Sequence, residues 1–462
     1  MARTLEANYL VVGAGAAGMA FCDALLDHAD EVRVVLVDRR SAAGGHWVDA
    51  YPFVRLHQAS SFYGVASILL GDGRVQQTGP EAGLHERATG AEVRAYYARV
   101  LARLTSSGRL DFFRGCSYEG DGRFTSLESG EQYDVPPGCR VVDARYLSPE
   151  IPATTPPPFE VGEGARVVPV NALPDVAGGE APYVVVGSGK TATDACIWLL
   201  DSGVDPDRIC WVRPRDPWML NRAVVQPDPA VFMGMAADIM QAATAASDLD
   251  DLFLRLEDAG VMLRVDRSVT PTMAKTPTLA RWELDQLRSL EHVLRLGHIR
   301  RAEPGRLVLA AGEVSVARDA VVVHCAASGL QYPPLVPIWA PDAITLQPIR
   351  AGFPCFGAAL AGYVEATRDD DAEKNRLCPP SPLSDTLPGW ARMQVLGGRA
   401  AASFGSDPDV KAWADGVPLN PARIPAGQAD RPELRAAVDR FRAYAPAGLA
   451  RLAELAGPGA RA

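Results

Sequence analysis

Two glycine clusters carry the clearest chemical signal in the chain. Gly13-Ala14-Gly15-Ala16-Ala17-Gly18 follows the apolar run Tyr9-Leu10-Val11-Val12 and leads into a helical stretch at residues 19–28. Gly187-Ser188-Gly189-Lys190-Thr191-Ala192 follows Tyr183-Val184-Val185-Val186 and leads into a helix that runs to Leu200. G-x-G-x-x-G/A between a strand and a helix is a steric device. The first glycine turns tightly, and the second lets the backbone approach a pyrophosphate. The third position must be small so that the helix can pack on its strand. The helix start also offers unpaired N–H groups and the positive end of its dipole to phosphate. Both clusters read as dinucleotide sites, lined by Gly13, Gly15, Ala16, Ala17 and Gly18 in the first and by Gly187, Ser188, Gly189, Lys190 and Thr191 in the second.

The residue that ends the next strand separates the two ligands. After the first cluster, a strand over residues 31–37 ends in Asp38, 25 residues beyond Gly13 and followed by Arg39. A carboxylate there accepts hydrogen bonds from an unphosphorylated ribose, as in FAD or NAD. After the second cluster, a strand over residues 208–212 ends in Arg213-Pro214-Arg215, with Arg213 standing 26 residues beyond Gly187. Guanidinium groups at that place suit the 2′-phosphate of NADP through charge-assisted, often bidentate contacts, so NADPH is expected over NADH. The other role open to these arginines is surface ion pairing. Gly189-Lys190-Thr191 imitates the end of a P-loop, but the glycine required five residues before Gly189 is Val184, which excludes a nucleoside triphosphatase.

The segments after Asp38 carry a family likeness. Arg40-Ser41-Ala42-Ala43-Gly44-Gly45-His46-Trp47 resembles the R-x-x-x-G-G-x-W segment of FAD-containing monooxygenases. Residues 51–63, from Tyr51-Pro52-Phe53-Val54-Arg55 through His57-Gln58 to Tyr63, resemble the Y-P-G-A-R-x-D-x-x-S-x-x-Y stretch of Baeyer–Villiger monooxygenases. The chain thus resembles the two-dinucleotide-domain flavoproteins, and among them the class B flavin monooxygenases. The resemblance implies FAD at the first site, with Gly45, His46, Trp47 and Gln58 beside it, and NADPH at the second. It implies an enzyme that transfers one oxygen atom from O2 to a small organic substrate through a C4a-(hydro)peroxyflavin. Phe53 departs from the family's glycine, and His57 stands where that family has an aspartate near the reaction centre. The family's F-x-G-x-x-x-H linker motif is also missing, because Phe159-Glu160-Val161-Gly162 has no histidine behind it. His57, Arg55 and Lys275 are the catalytic candidates.

The expected fold class is α/β, with two Rossmann-like domains. Residues 306–316 read as a hairpin, and residues 320–324 as a buried strand running into Cys325-Ala326-Ala327-Ser328-Gly329-Leu330. That resembles the crossover by which such flavoproteins return from one domain to the other. The expected domains are therefore a discontinuous FAD domain, 1–160 with 325–462, and an NADPH domain, 180–320. The proline-rich residues 152–158 form the outward linker. Leu249, Leu252, Phe253 and Leu256, then Leu279, Trp282, Leu287, Leu290 and Leu294, follow helical spacing. A largely helical insertion over about 224–295 is expected to roof the substrate site. Within it, Lys275 and Arg281 flank a Thr276-Pro277-Thr278 loop. Residues 365–376 mix both charges and read as an exposed, ion-paired segment, with no metal site.

Composition sets the outer limits. The 462 residues are 48% hydrophobic and 22% charged, enough for a sizeable core in two or three domains. Fifty-six acids against 46 basic residues leave −10, the wrong sign for a general nucleic-acid binder. The eight cysteines show no C-x-x-C, so neither a zinc ribbon nor a dithiol beside the flavin is expected. No apolar run is long enough to span a bilayer, and the N-terminus lacks a secretory pattern, so a cytoplasmic location is expected. Two further readings stay open: an NAD(P)H:acceptor flavoprotein without oxygen insertion, and a non-catalytic redox sensor.

Overall fold

Each glycine cluster sits where a strand of a parallel sheet hands over to a helix, and the two sheets are built alike. The computed structural model describes residues 2–327 and 329–458. The first sheet orders its strands Ala343–Thr345, Arg140–Asp143, Tyr9–Val12, Val34–Asp38, Leu110–Arg114, all parallel. Every residue of Val34–Asp38 is buried. The unbroken apolar run Val34–Val37 that precedes Asp38 is what a strand covered on both faces requires. Helix Ala16–His28 makes the crossover between Tyr9–Val12 and Val34–Asp38. Helix Gly90–Ser106 leads into Leu110–Arg114 and is opened by a Thr89/Glu92 capping box. Chain from far downstream completes the unit. Strand Ala343–Thr345 extends the sheet beside Arg140–Asp143. Helix Pro354–Thr367 lies along Ala16–His28 so closely that a Cβ on Gly362 would stand 2.5 Å from the Phe21 carbonyl oxygen.

The second sheet orders Arg166–Pro169, Val321–His324, Tyr183–Val186, Ile209–Val212, Val293–Leu294, again all parallel. Helix Lys190–Asp201 crosses from Tyr183–Val186 to Ile209–Val212. The expected hairpin is present as Arg306–Leu309 against Gly312–Ser315. The return from Val321–His324 follows, with Ser328 of the crossover lying outside the described residues.

Three expectations are corrected. The helical insertion also carries strands. Its helices Pro229–Ala245, Leu249–Asp258 and Arg281–Arg288 surround a three-stranded sheet, Met262–Leu263, Pro217–Asn221, Met273–Leu279. Thr276-Pro277-Thr278 is therefore strand rather than loop, and the register against Pro217–Asn221 slips there. A bulge is where a strand tolerates proline, which has no N–H to give the ladder. The helical spacing of leucines also overran its element. Leu290 lies beyond the helix, and Leu294 belongs to the edge strand beside Trp211–Val212. Buried leucines at that spacing do not reveal which neighbour buries them.

The third correction concerns residues 365–376, which are not an exposed segment throughout. Glu365 is 7% and Lys374 3% exposed. Glu365 accepts from the Tyr9 hydroxyl at 2.7 Å, Trp339 Nε1 at 2.8 Å, Lys374 Nζ at 2.7 Å and Arg140 at 3.2 Å, while Arg140 also pairs with Asp371. This carboxylate ties both ends of the first sheet's unit together. Replacing it by leucine leaves Arg140 and buried Lys374 to share Asp371 as their one remaining acid, a loss of up to about 3–5 kcal/mol. Urea unfolding of Glu365→Leu is expected to show a lower midpoint and an unfolding free energy reduced by that amount.

Candidate functional site

The first glycine loop is closed by a second turn. The Gly44 amide donates to the Ala14 carbonyl at 2.8 Å. This brings Gly45 against Gly15, where a Cβ on Gly45 would lie 2.9 Å from the Gly15 Cα. Gly18 meets the stricter limit, since its Cβ would fall 1.9 Å from the Gly13 carbonyl oxygen. The Gly-Gly pair after Asp38 and the glycine loop thus form one backbone cradle. Ala16 and Ala17 open the helix that leaves it. Buried Asp38 braces the cradle, accepting from the Ala14 amide at 2.7 Å and from the Arg40 amide at 2.8 Å. Each carboxylate oxygen keeps a further lone pair for a ribose hydroxyl. Arg39 points to solvent, while Arg40 pairs with Asp49 at 2.6 Å.

Trp47 is buried and donates Nε1–H to the Tyr63 hydroxyl at 2.6 Å. His46 stands beside it, with ring centroids 5.3 Å apart. Burial, with Arg40 nearby, lowers the His46 pKa to about 4, so its ring is neutral. Gln58 is buried next to His57.

The second loop repeats the geometry. The Gly187 amide donates to Val212 at 3.0 Å, and the Gly187 carbonyl accepts from Trp211 Nε1 at 2.7 Å. Among the described residues beyond its chain neighbours, no atom lies within 4 Å of a Cβ built on Gly189, and Ser188, Lys190 and Thr191 keep partial exposure around it. Ala192 fills the small third position and is fully buried. The two arginines part company here. Arg213 is 2% exposed, lies 4.6 Å over the Trp211 ring and pairs with Asp216. Burial and the repulsion of Arg295 lower its pKa to about 10. Arg215 faces solvent and has no ion pair among the described residues. Only Arg215 is free to meet a phosphate from solvent; Arg213 braces the strand end.

Between the two units lies a cleft of about 500 Å³. Arg55, Phe53, Lys190, Asp194, Trp198 and Glu81 are among its walls. Phe53, which replaces the family's glycine, stacks on Trp198 of the opposite unit at 5.1 Å. Tyr51 donates to Asp194 at 2.7 Å, and Asp194 also pairs with Lys190. A tyrosine of one unit is thereby joined to the glycine-loop lysine of the other. Deeper in, Arg222 is fully buried and pairs with Glu81 at 2.5 Å and Glu283 at 2.6 Å, while Arg87 holds Glu81 from the other side. Two arginines and two glutamates leave this cluster neutral. Charges buried in this way persist only when paired and hydrogen-bonded. The sequence does not signal this cluster, because Arg222 and Glu283 stand far along the chain from Glu81 and Arg87 and from each other.

His57 sits against the cluster. Its carbonyl accepts from Arg222 Nε at 2.9 Å and from the Thr278 hydroxyl, and its Nδ1 accepts the Thr278 amide at 3.3 Å. An acceptor Nδ1 leaves the proton on Nε2. Burial, with Lys190, Arg222 and Arg87 nearby, lowers the His57 pKa to about 3. His57 is therefore held neutral at pH 7 and can donate through Nε2. Arg55 lies exposed at the cleft rim. Lys275 is paired with Asp385 at 3.1 Å, so its charge is not free. Arg281, expected beside it, is exposed at the start of its helix.

Comparison with known proteins agrees with this geometry. Residues 11–56 match a family model described as an NAD(P)-binding Rossmann-like domain. Over 423 residues the chain is 42% identical to the uncharacterized protein Rv2000 of Mycobacterium tuberculosis, covering 91% of this chain and 78% of that protein. The uncharacterized protein Mb2023 of Mycobacterium bovis matches to the same extent. Among solved structures, the polycyclic ketone monooxygenase of the fungus Thermothelomyces thermophila superposes with a TM-score of 0.52 at 12% identity, over 97% of this chain and 90% of that one. The chain therefore belongs to the family of these mycobacterial proteins, and its fold is that of the class B flavin monooxygenases.

Proposed function

We propose that the chain is an FAD-dependent, NADPH-using monooxygenase that transfers one oxygen atom from O2 to a small organic substrate. The observation that carries this reading is a pair of matching glycine turns on two parallel sheets, joined across one cleft by the Tyr51–Asp194–Lys190 bridge. The room for a dinucleotide supports it. A Cβ at Gly15 makes only ordinary contact with Gly45, and one at Gly189 meets nothing, so side chains are absent there for a reason other than internal packing. In this reading residues 1–160 and 325–462 form the FAD domain and 180–320 the NADPH domain, with the insertion at about 224–295 covering the cleft. FAD, when bound, accepts hydride and activates oxygen. Gly13–Gly18, Asp38, Gly45, His46, Trp47 and Gln58 surround it. Arg215 reads the 2′-phosphate, with Arg213 acting through Trp211 and Asp216. His57 offers Nε2–H as a fixed neutral donor, and Phe53 with Trp198 excludes water from the cleft.

The direct test is anaerobic reduction with NADPH followed by mixing with O2, with absorbance recorded from milliseconds to seconds. A transient oxygen-derived species, and retention of one atom of 18O2 in a product, are the expected results. Immediate reoxidation with stoichiometric hydrogen peroxide would assign the chain to the acceptor reductases instead. Gly15→Val is expected to give folded, colourless protein, because the branched side chain occupies the pyrophosphate's space. Undiminished flavin in that variant would refute the first site.

The coenzyme arginines separate by readout. Arg215→Ala is expected to raise the KM for NADPH roughly ten- to a hundredfold, the range for a lost charged hydrogen bond, with NADH kinetics and thermal stability unchanged. Arg213→Ala is expected to lower the melting temperature, because Asp216 then stays buried with only Arg295 beside it. Equal KM losses for both coenzymes in Arg215→Ala would remove it from phosphate recognition.

His57 sets a pH test. With its folded pKa at about 3 against 6.5 for the free side chain, the unfolded chain takes up a proton that the folded chain refuses. Its contribution to stability is therefore lost as pH falls from 6.5 towards 3, and His57→Gln is expected to flatten unfolding free energy against pH in that window. The kcat/KM profile should show no His57 ionisation between about pH 5 and 8. A limb there that disappears in His57→Gln would mean that the ring titrates after all.

A further inference from the structure

Phe53 stands where the resembling stretch has glycine, so a phenyl ring occupies a place that glycine would leave empty. The backbone does not call for either residue. The Val54 amide donates to the Tyr51 carbonyl at 3.1 Å, closing a turn with Pro52 and Phe53 at its corners. Among the described residues Asp121 is the one non-glycine residue with a positive φ, so Phe53 sits in a conformation that glycine and side-chain-bearing residues share. The difference at this position is bulk, and the bulk lies on the wall of the cleft between the two units.

The ring is held by neighbours on both units. It stacks on Trp198 at 5.1 Å with 24° between the planes, and its centroid lies 4.8 Å from that of Tyr51. Asp194 and Trp198 are one turn apart on helix Lys190–Asp201, and Tyr51 and Phe53 flank Pro52. The Tyr51–Asp194 hydrogen bond and the Phe53–Trp198 stack therefore lie side by side across the cleft. Trp282 of the insertion adds a further ring to the wall, fixed by its Nε1–H to Glu81 at 3.3 Å. Phe53, Trp198 and Trp282 are each half-buried, so the aromatic surface stays open to the cleft.

The shape and charge of the cleft narrow what it can take. Its wall follows helix Lys190–Asp201 from end to end, about 16 Å, so the space is drawn out along that helix. The charges along its depth are already matched: Lys190 with Asp194, Arg87 with Glu81, and Glu283 with Arg222. Arg55 and Asp201 stand at its exposed rim.

We propose that Phe53 and Trp198 determine the specificity of the cleft, and that its ligand is a neutral, flat aromatic compound. The aromatic wall favours a flat ring in an offset-stacked or edge-on arrangement. The phenyl group of Phe53 takes the room that a rounded molecule needs, and the matched charges offer nothing for an ionised ligand to neutralise. That this compound is oxygenated rests on the proposed monooxygenase reading; its binding does not.

Calorimetry on the protein as purified compares 2-naphthol with 2-adamantanone, neutral ligands of equal carbon count that differ in shape, and with 2-naphthoate, which differs in charge. The parent is expected to bind 2-naphthol most tightly, in the presence as in the absence of NADP+. Phe53→Leu and Trp198→Leu should each weaken 2-naphthol binding about threefold to tenfold, the range for a lost aromatic pair. Phe53→Gly should show that loss and also a gain of roughly tenfold or more for 2-adamantanone, since removing the phenyl group returns about its own volume to the cleft. Circular dichroism checks that each variant is folded, and Phe53→Ala replaces Phe53→Gly if the latter is not. Four results overturn the proposal: the parent does not bind 2-naphthol; it binds 2-adamantanone or 2-naphthoate as tightly; the folded small-residue variant keeps the parent's preference for 2-naphthol over 2-adamantanone; or NADP+ displaces 2-naphthol, which would assign the aromatic wall to the coenzyme. Failure of oxygen insertion leaves these binding results intact, so the two readings fail separately.

Discussion

At Gly18 a Cβ would stand 1.9 Å from the Gly13 carbonyl oxygen, and at Gly45 it would stand 2.9 Å from the Gly15 Cα. Backbone touches backbone at both places, and a single methyl group would force them apart. The rest of the first unit follows from that approach. The Gly44–Ala14 hydrogen bond can form only when the two turns meet, and Asp38 can brace Ala14 and Arg40 only when the loop is drawn down onto its strand. The same economy of space recurs at Gly362 against Phe21, where the returning helix settles on the first crossover helix. Interiors packed to crystal density transmit such contacts. The shape of the cradle is consequently set by where side chains are absent.

Charge is handled with the same strictness inside the molecule. Glu365 serves Tyr9, Trp339, Lys374 and Arg140 at once. Arg222 and Arg87 share Glu81 and Glu283 across segments that lie far apart in the chain. These clusters fasten the insertion and the downstream return to the first unit. The second cluster also borders His57, which burial, with Lys190, Arg222 and Arg87 nearby, keeps from taking up a proton.

The glycine turns, the acid after the first strand and the arginines after the second could be read from residue order, as could both parallel sheets and the hairpin. Each is a local or near-local constraint: a strand, a tight turn and a helix within a few dozen residues, expressed through residue size and hydrophobic period. The likeness at Gly44-Gly45-His46-Trp47 was legible for the same reason. The insertion was misread where locality fails. Leu290 and Leu294 keep a helical spacing although one lies past the helix and the other in a strand, because period records burial and not the identity of the neighbour.

The tertiary structure alone decided which of two neighbouring arginines meets solvent, since that depends on Trp211 and Asp216 closing over Arg213. It also fixed the tautomer of His57 through the Thr278 amide, joined Tyr51 to Asp194 across the cleft, and withdrew Lys275 to Asp385. Sequence determined where backbone can come close, because glycine and alanine carry that information in themselves. It could not determine the protonation or freedom of a charged side chain. Those are set by desolvation and by partners that only folding brings within a few ångströms.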